Sequence, residues 1–86
     1  MTITYSRVFK KMFKKKDAWV QDKFKERLSL FIQDKNHPSL NSHSLSGIWD
    51  GCKSINITGD FRAVYEELGG GHFEFVAVGT HGELYS

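Results

Sequence analysis

The sequence predicts an α+β domain in which two antiparallel helices cover one face of an antiparallel sheet. Two observations support this prediction. Apolar residues recur with a helical period between residues 9 and 32, and strand-like runs separated by glycine turns fill the chain from Gly51 onward. Helices followed by strands in this way are typical of α+β folds. The expected order is β-α-α-β-β-β, within one domain spanning residues 1–86.

The two helices are predicted from apolar spacing and capping residues. A β-branched and aromatic run from Thr2 to Tyr5 predicts a short edge strand, and Ser6 and Asp17 are candidate N-caps for the helices that follow. The apolar faces consist of Phe9, Met12 and Phe13 in the first helix and Val20, Phe24, Leu28, Phe31 and Ile32 in the second. Pro38 ends the second helix, and the polar stretch from there to Gly47 predicts an exposed loop.

Three strands are predicted after Gly51. They span residues 53–57, 61–65 and 72–78, and they are separated by turns at Thr58-Gly59-Asp60 and Gly69-Gly70-Gly71. The tail from His81 to Tyr85 follows the last strand, and we expect it to be too short to form a helix of its own.

Composition limits the class of protein. A second hydrophobic core would leave each half of an 86-residue chain too small to fold without disulfides or metals. Cys52 is the only cysteine, which excludes an intramolecular disulfide and a cysteine-based zinc cluster within one chain. No apolar stretch resembles a signal peptide or a membrane span. We therefore expect a cytoplasmic protein that does not engage a membrane.

Positive charge is concentrated at the N-terminus. The first sixteen residues contain six basic side chains and no acidic one, namely Arg7, Lys10, Lys11, Lys14, Lys15 and Lys16. Such a cluster creates a local positive field that suits a polyanion such as RNA. A solvated helix face explains the same pattern equally well.

Familiar catalytic motifs are missing. The triple glycine at 69–71 lies between two predicted strands, so it is a hairpin turn and not a phosphate-binding loop. The four histidines lack the HExxH spacing of a zinc enzyme. We therefore expect neither a metal ion nor a cofactor.

Three motifs remain: a loop that runs from His43 through Trp49 to Gly51, the strand Asp60-Phe61-Arg62-Ala63-Val64-Tyr65, and the tail Gly79-Thr80-His81-Gly82-Glu83-Leu84-Tyr85. In this order, after a basic helical hairpin, they resemble the RelE/ParE superfamily of bacterial toxins, and the tail resembles its YafQ-like branch most. The resemblance covers essentially the whole chain. It implies a RelE-like fold and a toxin that a cognate antitoxin neutralises in a hetero-oligomeric complex. It also implies a metal-independent mRNA endonuclease that acts on the ribosome and inhibits translation.

RNA cleavage of this type needs a base for the 2′-hydroxyl, a cation for the phosphate and an acid for the leaving 5′-oxygen. The resemblance assigns Arg62 to the phosphate and makes His81 an acid or base, since histidine exchanges a proton near neutral pH. Tyr85 matches an aromatic residue beside the scissile nucleotide. His43 and Asp60 match residues that orient a catalytic group or bind mRNA.

Further residues are candidates for binding the RNA. They are Phe61 and Lys53 in the strands and Lys10, Lys11, Lys14 and Lys15 in the first helix. Structural alternatives stand beside these assignments. Arg62 could form an ion pair with a nearby carboxylate of Asp60, Glu66 or Glu74, and Tyr85 could anchor the chain end in the core, as we expect of Leu84. We expect Trp49 to pack across its loop and not to contact RNA.

Two positions depart from the family pattern. Asn56 stands where the YafQ-like pattern has a strand histidine, and Ala77 stands where relatives carry an arginine. An asparagine side chain cannot transfer a proton at neutral pH. These departures leave open a non-enzymatic toxin, as in the ParE branch that inhibits DNA gyrase, or a catalytically weakened protein with a RelE fold.

Overall fold

A computed structural model describes residues 1–85. The strands are β1 (Thr2–Tyr5), β2 (His43–Ser44), β3 (Lys53–Thr58), β4 (Phe61–Gly69) and β5 (His72–Thr80). The helices are α1 (Arg7–Lys14), α2 (Ala18–Gln33) and α3 (His81–Tyr85), and two 3-10 turns lie at Pro38–Leu40 and Gly47–Trp49. Within the described residues, no helix is both long and apolar enough to cross a membrane. The predicted α+β class is confirmed.

All five strands belong to one sheet in the order β1-β5-β4-β3-β2. The strands from β2 to β5 pair antiparallel, whereas β1 pairs parallel to β5, with Thr2 opposite His72 and Tyr5 opposite Phe75. The predicted edge strand is therefore present. The two helices form the connection that carries the chain from β1, across one face of the sheet, to its opposite edge.

The main core lies between the helices and the sheet. Its buried side chains include Phe9, Phe24, Phe31, Leu40, Ile55, Ile57, Tyr65, Phe73 and Phe75. Many rings meet edge to face, as Phe24 and Phe75 do at 5.4 Å between centroids and an angle of 86°, and such pairs stabilise a core beyond the area they bury. Ser6 caps α1 as predicted, because its Oγ accepts a hydrogen bond from the backbone N–H of Phe9 at 3.0 Å.

Ile32 does not belong to this core. It was predicted on the apolar face of α2, yet it is 50% exposed, while Phe31 is fully buried. Adjacent residues on a helix point about 100° apart, so only one of the two can face the sheet.

A second, smaller apolar cluster lies on the opposite face of the sheet. Val64, Ala77 and Leu84 form its buried centre, and Leu45 and Trp49 pack against them. These residues come from the strands, from the segment between β2 and β3, and from α3. The centre of the sheet is therefore covered on both faces.

The prediction of an exposed loop between Pro38 and Gly47 was wrong in part. Leu40 lies in a 3-10 turn and is fully buried in the main core. His43 and Ser44 then form β2, which pairs with β3. A single apolar residue anchors an otherwise polar segment, and the anchored segment adds a strand at the sheet edge.

Candidate functional site

A cavity of about 180 Å³ opens on the face of the sheet that carries the second cluster. Its lining residues are His43, Leu45, Ser54, Arg62, Val64, His81, Leu84 and Tyr85. Four of the five residues predicted to act in catalysis therefore line one cavity: His43, Arg62, His81 and Tyr85. We call this cavity the β2–α3 cavity, after the two elements at its rim.

The sheet register explains why these residues meet. His43 lies opposite Ser54 in the β2–β3 ladder, and Ser54 lies opposite Val64 in the β3–β4 ladder. Because alternate residues of a strand share a face, Arg62 lies on the same face as Val64. Arg62 in turn pairs with Gly79, shortly before α3 brings His81 to the rim.

The His43 ring is held in one tautomer. Its Nδ1 lies 2.9 Å from the carbonyl oxygen of Asn41, and a carbonyl can only accept a hydrogen bond, so Nδ1 carries the proton. In this tautomer, Nε2 has the lone pair that can accept a proton. Asn41 has a φ of 47°, a left-handed conformation that asparagine tolerates better than most residues and that turns the chain just before β2.

The Arg62 guanidinium makes few polar contacts with the described part of the protein. Its Nη1 donates to the carbonyl of Gly59 over 3.4 Å. Within residues 1–85, it forms no ion pair with Asp60, Glu66 or Glu74, the carboxylates considered as structural partners. Among residues 1–85, no acidic residue lines the cavity. The guanidinium therefore has donors available for an anion in the cavity.

The tail that carries His81 and Tyr85 is a one-turn helix, so the prediction of a tail too short for a helix was wrong. Thr80 and Glu83 form a reciprocal capping box. The backbone N–H of Thr80 donates to Glu83 Oε1 at 2.9 Å, and the backbone N–H of Glu83 donates to Thr80 Oγ1 at 3.2 Å. This T-x-x-E spacing satisfies two orphan donors at a helix start, and it was visible in the sequence.

Three further contacts attach α3 to the domain. Lys16 Nζ, at the end of the basic segment, forms an ion pair with Glu83 Oε2 at 2.8 Å. The indole N–H of Trp49 donates to the carbonyl of Leu84 at 2.8 Å, and the Leu84 side chain is only 3% exposed. At Gly79, a Cβ atom would lie 2.9 Å from Glu83 Oε1 and 3.1 Å from Glu83 Cβ, so a larger residue there would displace the Glu83 side chain. Leu84 anchors the chain end, and Trp49 packs across its loop, as predicted.

His81 and Tyr85 stand one helical turn apart on α3. Their ring centroids lie 4.7 Å apart with the planes inclined by 32°, and Tyr85 is 40% exposed. Asp60 lies beside them without lining the cavity. Its Oδ2 accepts a hydrogen bond from the backbone N–H of His81 at 3.3 Å, so this carboxylate orients the first turn of α3.

We expect α3 to loosen in acid. The hydrogen bonds from Lys16 and from the Thr80 backbone lower the pKa of Glu83 below its usual value. A carboxylate with a lowered pKa stabilises the fold above the usual glutamate pKa, and this contribution is lost as pH falls through the lowered pKa. The Trp49 indole N–H signal in NMR spectra should therefore shift over this acidic range, because its acceptor is on α3.

In Glu83→Gln, the Trp49 indole N–H signal should already have its shifted, acid position at neutral pH. The control is Glu26→Gln, which removes a surface carboxylate near Lys23 and should behave like the original chain. An acid titration that leaves the Trp49 signal unchanged would contradict the proposed attachment of α3.

Lys53 and Phe61, both predicted to bind substrate, are not brought into the cavity. Lys53 precedes Ser54 in β3 and therefore faces the helix side of the sheet, where its Nζ lies 3.8 Å from Glu67. The Phe61 ring packs against the main core and stands perpendicular to the Trp19 ring at 5.8 Å. Strand alternation makes neighbours in sequence point to opposite faces.

The four candidate lysines of the first helical segment, Lys10, Lys11, Lys14 and Lys15, are all exposed. Within residues 1–85 they form no salt bridge, whereas Lys16 is engaged by Glu83. Lys11 and Lys15 border an opening that also includes Glu83 of α3. The positive surface of α1 therefore extends to the helix that carries His81.

Two residues of this site were not singled out from the sequence. Ser54 lies within the predicted strand 53–57 and belongs to none of the three motifs, yet it is only 2% exposed and lines the cavity. Asn41, whose carbonyl fixes His43, lies in the segment predicted as an exposed loop. The sequence signal available for Ser54 was its spacing of two from Asn56, which placed both residues on one face of β3.

The family match and the shared fold define the class of protein: the chain is a toxin of the RelE/ParE superfamily. More narrowly, it belongs to the YafQ family, because its residues 1–86 match the family described as "Bacterial toxin of type II toxin-antitoxin system, YafQ". A search of curated proteins found no match.

Solved structures show the same fold over nearly the full chain. YafQ from E. coli strain BL21(DE3) is 25% identical, with a TM-score of 0.78 and coverage of 98% of this chain and 97% of that one. YafQ in the E. coli DinJ-YafQ complex is 26% identical, with a TM-score of 0.76 and the same coverage. The YoeB/ParE toxin from Agrobacterium tumefaciens is 20% identical, with a TM-score of 0.77 and coverage of 94% and 99%, and shares the fold.

Proposed function

We propose that this toxin is a ribosome-dependent mRNA endonuclease that needs no metal ion and inhibits translation in the cytoplasm. The observation that carries the proposal is the convergence of His43, Arg62, His81 and Tyr85 on the β2–α3 cavity. Together they offer a proton acceptor, a cation and a second titratable group, which cleavage through the RNA 2′-hydroxyl requires. They also offer an exposed aromatic ring that can stack on a base.

The geometry suggests how the roles divide. His43 Nε2 takes the proton of the 2′-hydroxyl, and the 2′-oxygen forms a bond to phosphorus. Arg62 stabilises the negative charge on the non-bridging oxygens, the bond from phosphorus to the 5′-oxygen breaks, and His81 donates a proton to that oxygen. The products are a 2′,3′-cyclic phosphate and a 5′-hydroxyl. Tyr85 stacks on a base beside the scissile bond, and Asp60 orients α3 through the His81 backbone.

The two departures from the family pattern, Asn56 and Ala77, reduce the number of groups that can take part in this chemistry. Ala77 is fully buried in the second cluster, and Asn56 lies opposite Arg62 in the β3–β4 ladder without a group that transfers protons. Among the lining residues that the structure describes, Arg62 is therefore the one permanently charged cation. We expect activity that depends heavily on Arg62.

The test is primer extension on mRNA from cells that express the toxin. We expect cuts within translated reading frames and none in the same message when its start codon is removed. Intact message during growth arrest would refute the proposal. Inhibition of DNA supercoiling by gyrase in that case would favour a non-enzymatic, ParE-like toxin.

The basic surface of α1 is proposed to contact ribosomal RNA. The double variant Lys11→Glu/Lys15→Glu should bind ribosomes more weakly in sedimentation assays, because it loses attraction to phosphates beside α3. Each lost phosphate contact should also reduce the slope of log affinity against log salt by about 1. Lys23→Glu/Lys25→Glu on α2 makes the same change of charge and should have a smaller effect. Equal ribosome binding by both variants would favour a merely solvated helix face.

We also propose that a cognate antitoxin binds this toxin in a hetero-oligomeric complex. The support is family membership together with the fold shared with YafQ in the DinJ-YafQ complex. Co-expression with the small open reading frame beside the toxin gene should restore growth, and the two proteins should copurify. Growth arrest that persists with that second protein present would contradict this partner.

A further inference from the structure

Ser54 has an unusual position for a polar residue. It lies within β3 and is 2% exposed, yet its Oγ has no hydrogen-bond partner within residues 1–85. Other serines with reduced exposure are bonded, as Ser6 Oγ is to the Val76 carbonyl at 3.1 Å and Ser42 Oγ is to the Tyr65 hydroxyl at 2.8 Å. Proteins rarely bury a hydroxyl without a partner, because its lost hydration is not replaced.

Ser54 lies beside the residues that are proposed to act on the substrate. Ser54 lines the β2–α3 cavity together with Arg62 and His81, and it is the direct cross-strand neighbour of His43. The only other buried side-chain nitrogen or oxygen atom without a hydrogen-bond partner in the described chain is Oδ1 of Asn56. Both atoms therefore belong to one face of β3, next to the strand that carries Arg62.

We propose that Ser54 is a further substrate-contacting residue of the toxin, and that its hydroxyl donates a hydrogen bond to a non-bridging phosphate oxygen of the RNA. This inference rests on the proposed endonuclease function, since it places a phosphodiester in the cavity. A phosphate is the favoured acceptor because the Arg62 guanidinium attracts an anion to the same cavity and none of the described lining residues is acidic. Ser54 and Arg62 then bind the phosphate from adjacent strands, while His43 accepts the proton of the 2′-hydroxyl and His81 donates a proton to the leaving 5′-oxygen.

The test compares Ser54→Ala with Ser44→Ala in cleavage of mRNA on programmed ribosomes. Ser44 is a matched control, because it lies opposite Lys53 in β2 and does not line the cavity. We expect Ser54→Ala to cleave about ten- to a hundredfold more slowly, the range for one hydrogen bond to a charged group. Ser44→Ala should cleave at the original rate.

Thermal unfolding separates this role from a structural one. Since the hydroxyl makes no hydrogen bond within the described chain, Ser54→Ala should have a melting temperature equal to or above that of the original chain. Slower cleavage with an unchanged or higher melting temperature supports the inference. Unchanged cleavage overturns it, as does slower cleavage that merely follows a lower melting temperature.

A binding measurement distinguishes failure of this inference from failure of the proposed function. An RNA trinucleotide with 2′-O-methyl groups cannot be cut, and its binding can be followed by NMR through the backbone amide signals around Arg62 and His81. We expect saturable shifts that weaken in Ser54→Ala but not in Ser44→Ala. If the toxin cuts no mRNA yet shows this pattern, the endonuclease proposal fails and the Ser54 contact stands. Equal binding by Ser54→Ala, or no binding by the original chain, overturns the contact.

Discussion

Arg62→Ala should lower the rate of mRNA cleavage about a hundred- to a thousandfold, the effect typical of removing one group that stabilises transition-state charge. The reason is that, within the described part of the chain, no other residue lining the β2–α3 cavity is permanently cationic. Stability should change little, because within the described residues the guanidinium makes one long hydrogen bond, to Gly59, and no ion pair. Single-turnover cleavage on programmed ribosomes, with thermal unfolding of the same samples, measures both effects.

Two further variants make the Arg62 result specific. Arg62→Lys keeps the charge but loses the planar fork that can bind two phosphate oxygens, so it should recover only part of the activity. Lys23→Ala removes a positive charge from the exposed face of α2 and should cleave normally. If Arg62→Ala lost activity only because it unfolded, or lost no more than Lys23→Ala, Arg62 would not be the phosphate-binding residue.

His43→Ala and His81→Ala should each slow cleavage about a hundred- to ten-thousandfold, as expected for the loss of general acid–base catalysis. The two variants should differ in how their residual rates depend on pH. A base must be deprotonated to act, so His43→Ala should lose the fall in rate toward acid. An acid must be protonated, so His81→Ala should lose the fall in rate toward alkali.

The histidine variants need a control that loses a histidine elsewhere. His37→Ala serves, because the His37 ring accepts hydrogen bonds from Ser39 in the turn after α2 and His37 is not among the residues that line the cavity. This variant should keep both limbs of the pH profile. If the alkaline limb disappeared in His43→Ala and the acid limb in His81→Ala, the roles would be reversed. If both variants kept both limbs of the pH–rate profile, neither His43 nor His81 would be a proton-transfer group.

Much of the fold was predictable from local patterns. The helical spacing of Phe9 with Phe13, and of Phe24 with Phe31, identifies the faces that the sheet covers, and both helices lie where this spacing predicted. The turns at 58–60 and 69–71 were equally clear, because Gly59 and Gly69 adopt the positive φ that favours glycine. These features depend on residues near one another in the chain.

The candidate site was predictable only as a set of residue types. The family resemblance predicted His43, Arg62, His81 and Tyr85 as site residues, but it predicted Lys53 and Phe61 equally. The side chains of these last two residues face the helix side of the sheet. A shift of one position along a strand reverses the direction of a side chain. The burial of Ser54 was not predictable either, since the same alternation fits a solvated face as well as the wall of a cavity.

The sequence alone determined the α+β class, the two helices, the hairpin turns and the basic segment, because helical period, turn residues and charge are properties of neighbouring residues. The tertiary structure alone decided that β1 joins β5 in parallel, that α3 is held by Lys16 and Trp49, and that His43 meets Ser54 across the β2–β3 ladder. These features depend on pairing between distant segments. Such pairing is set by packing of the whole domain and not by any local pattern.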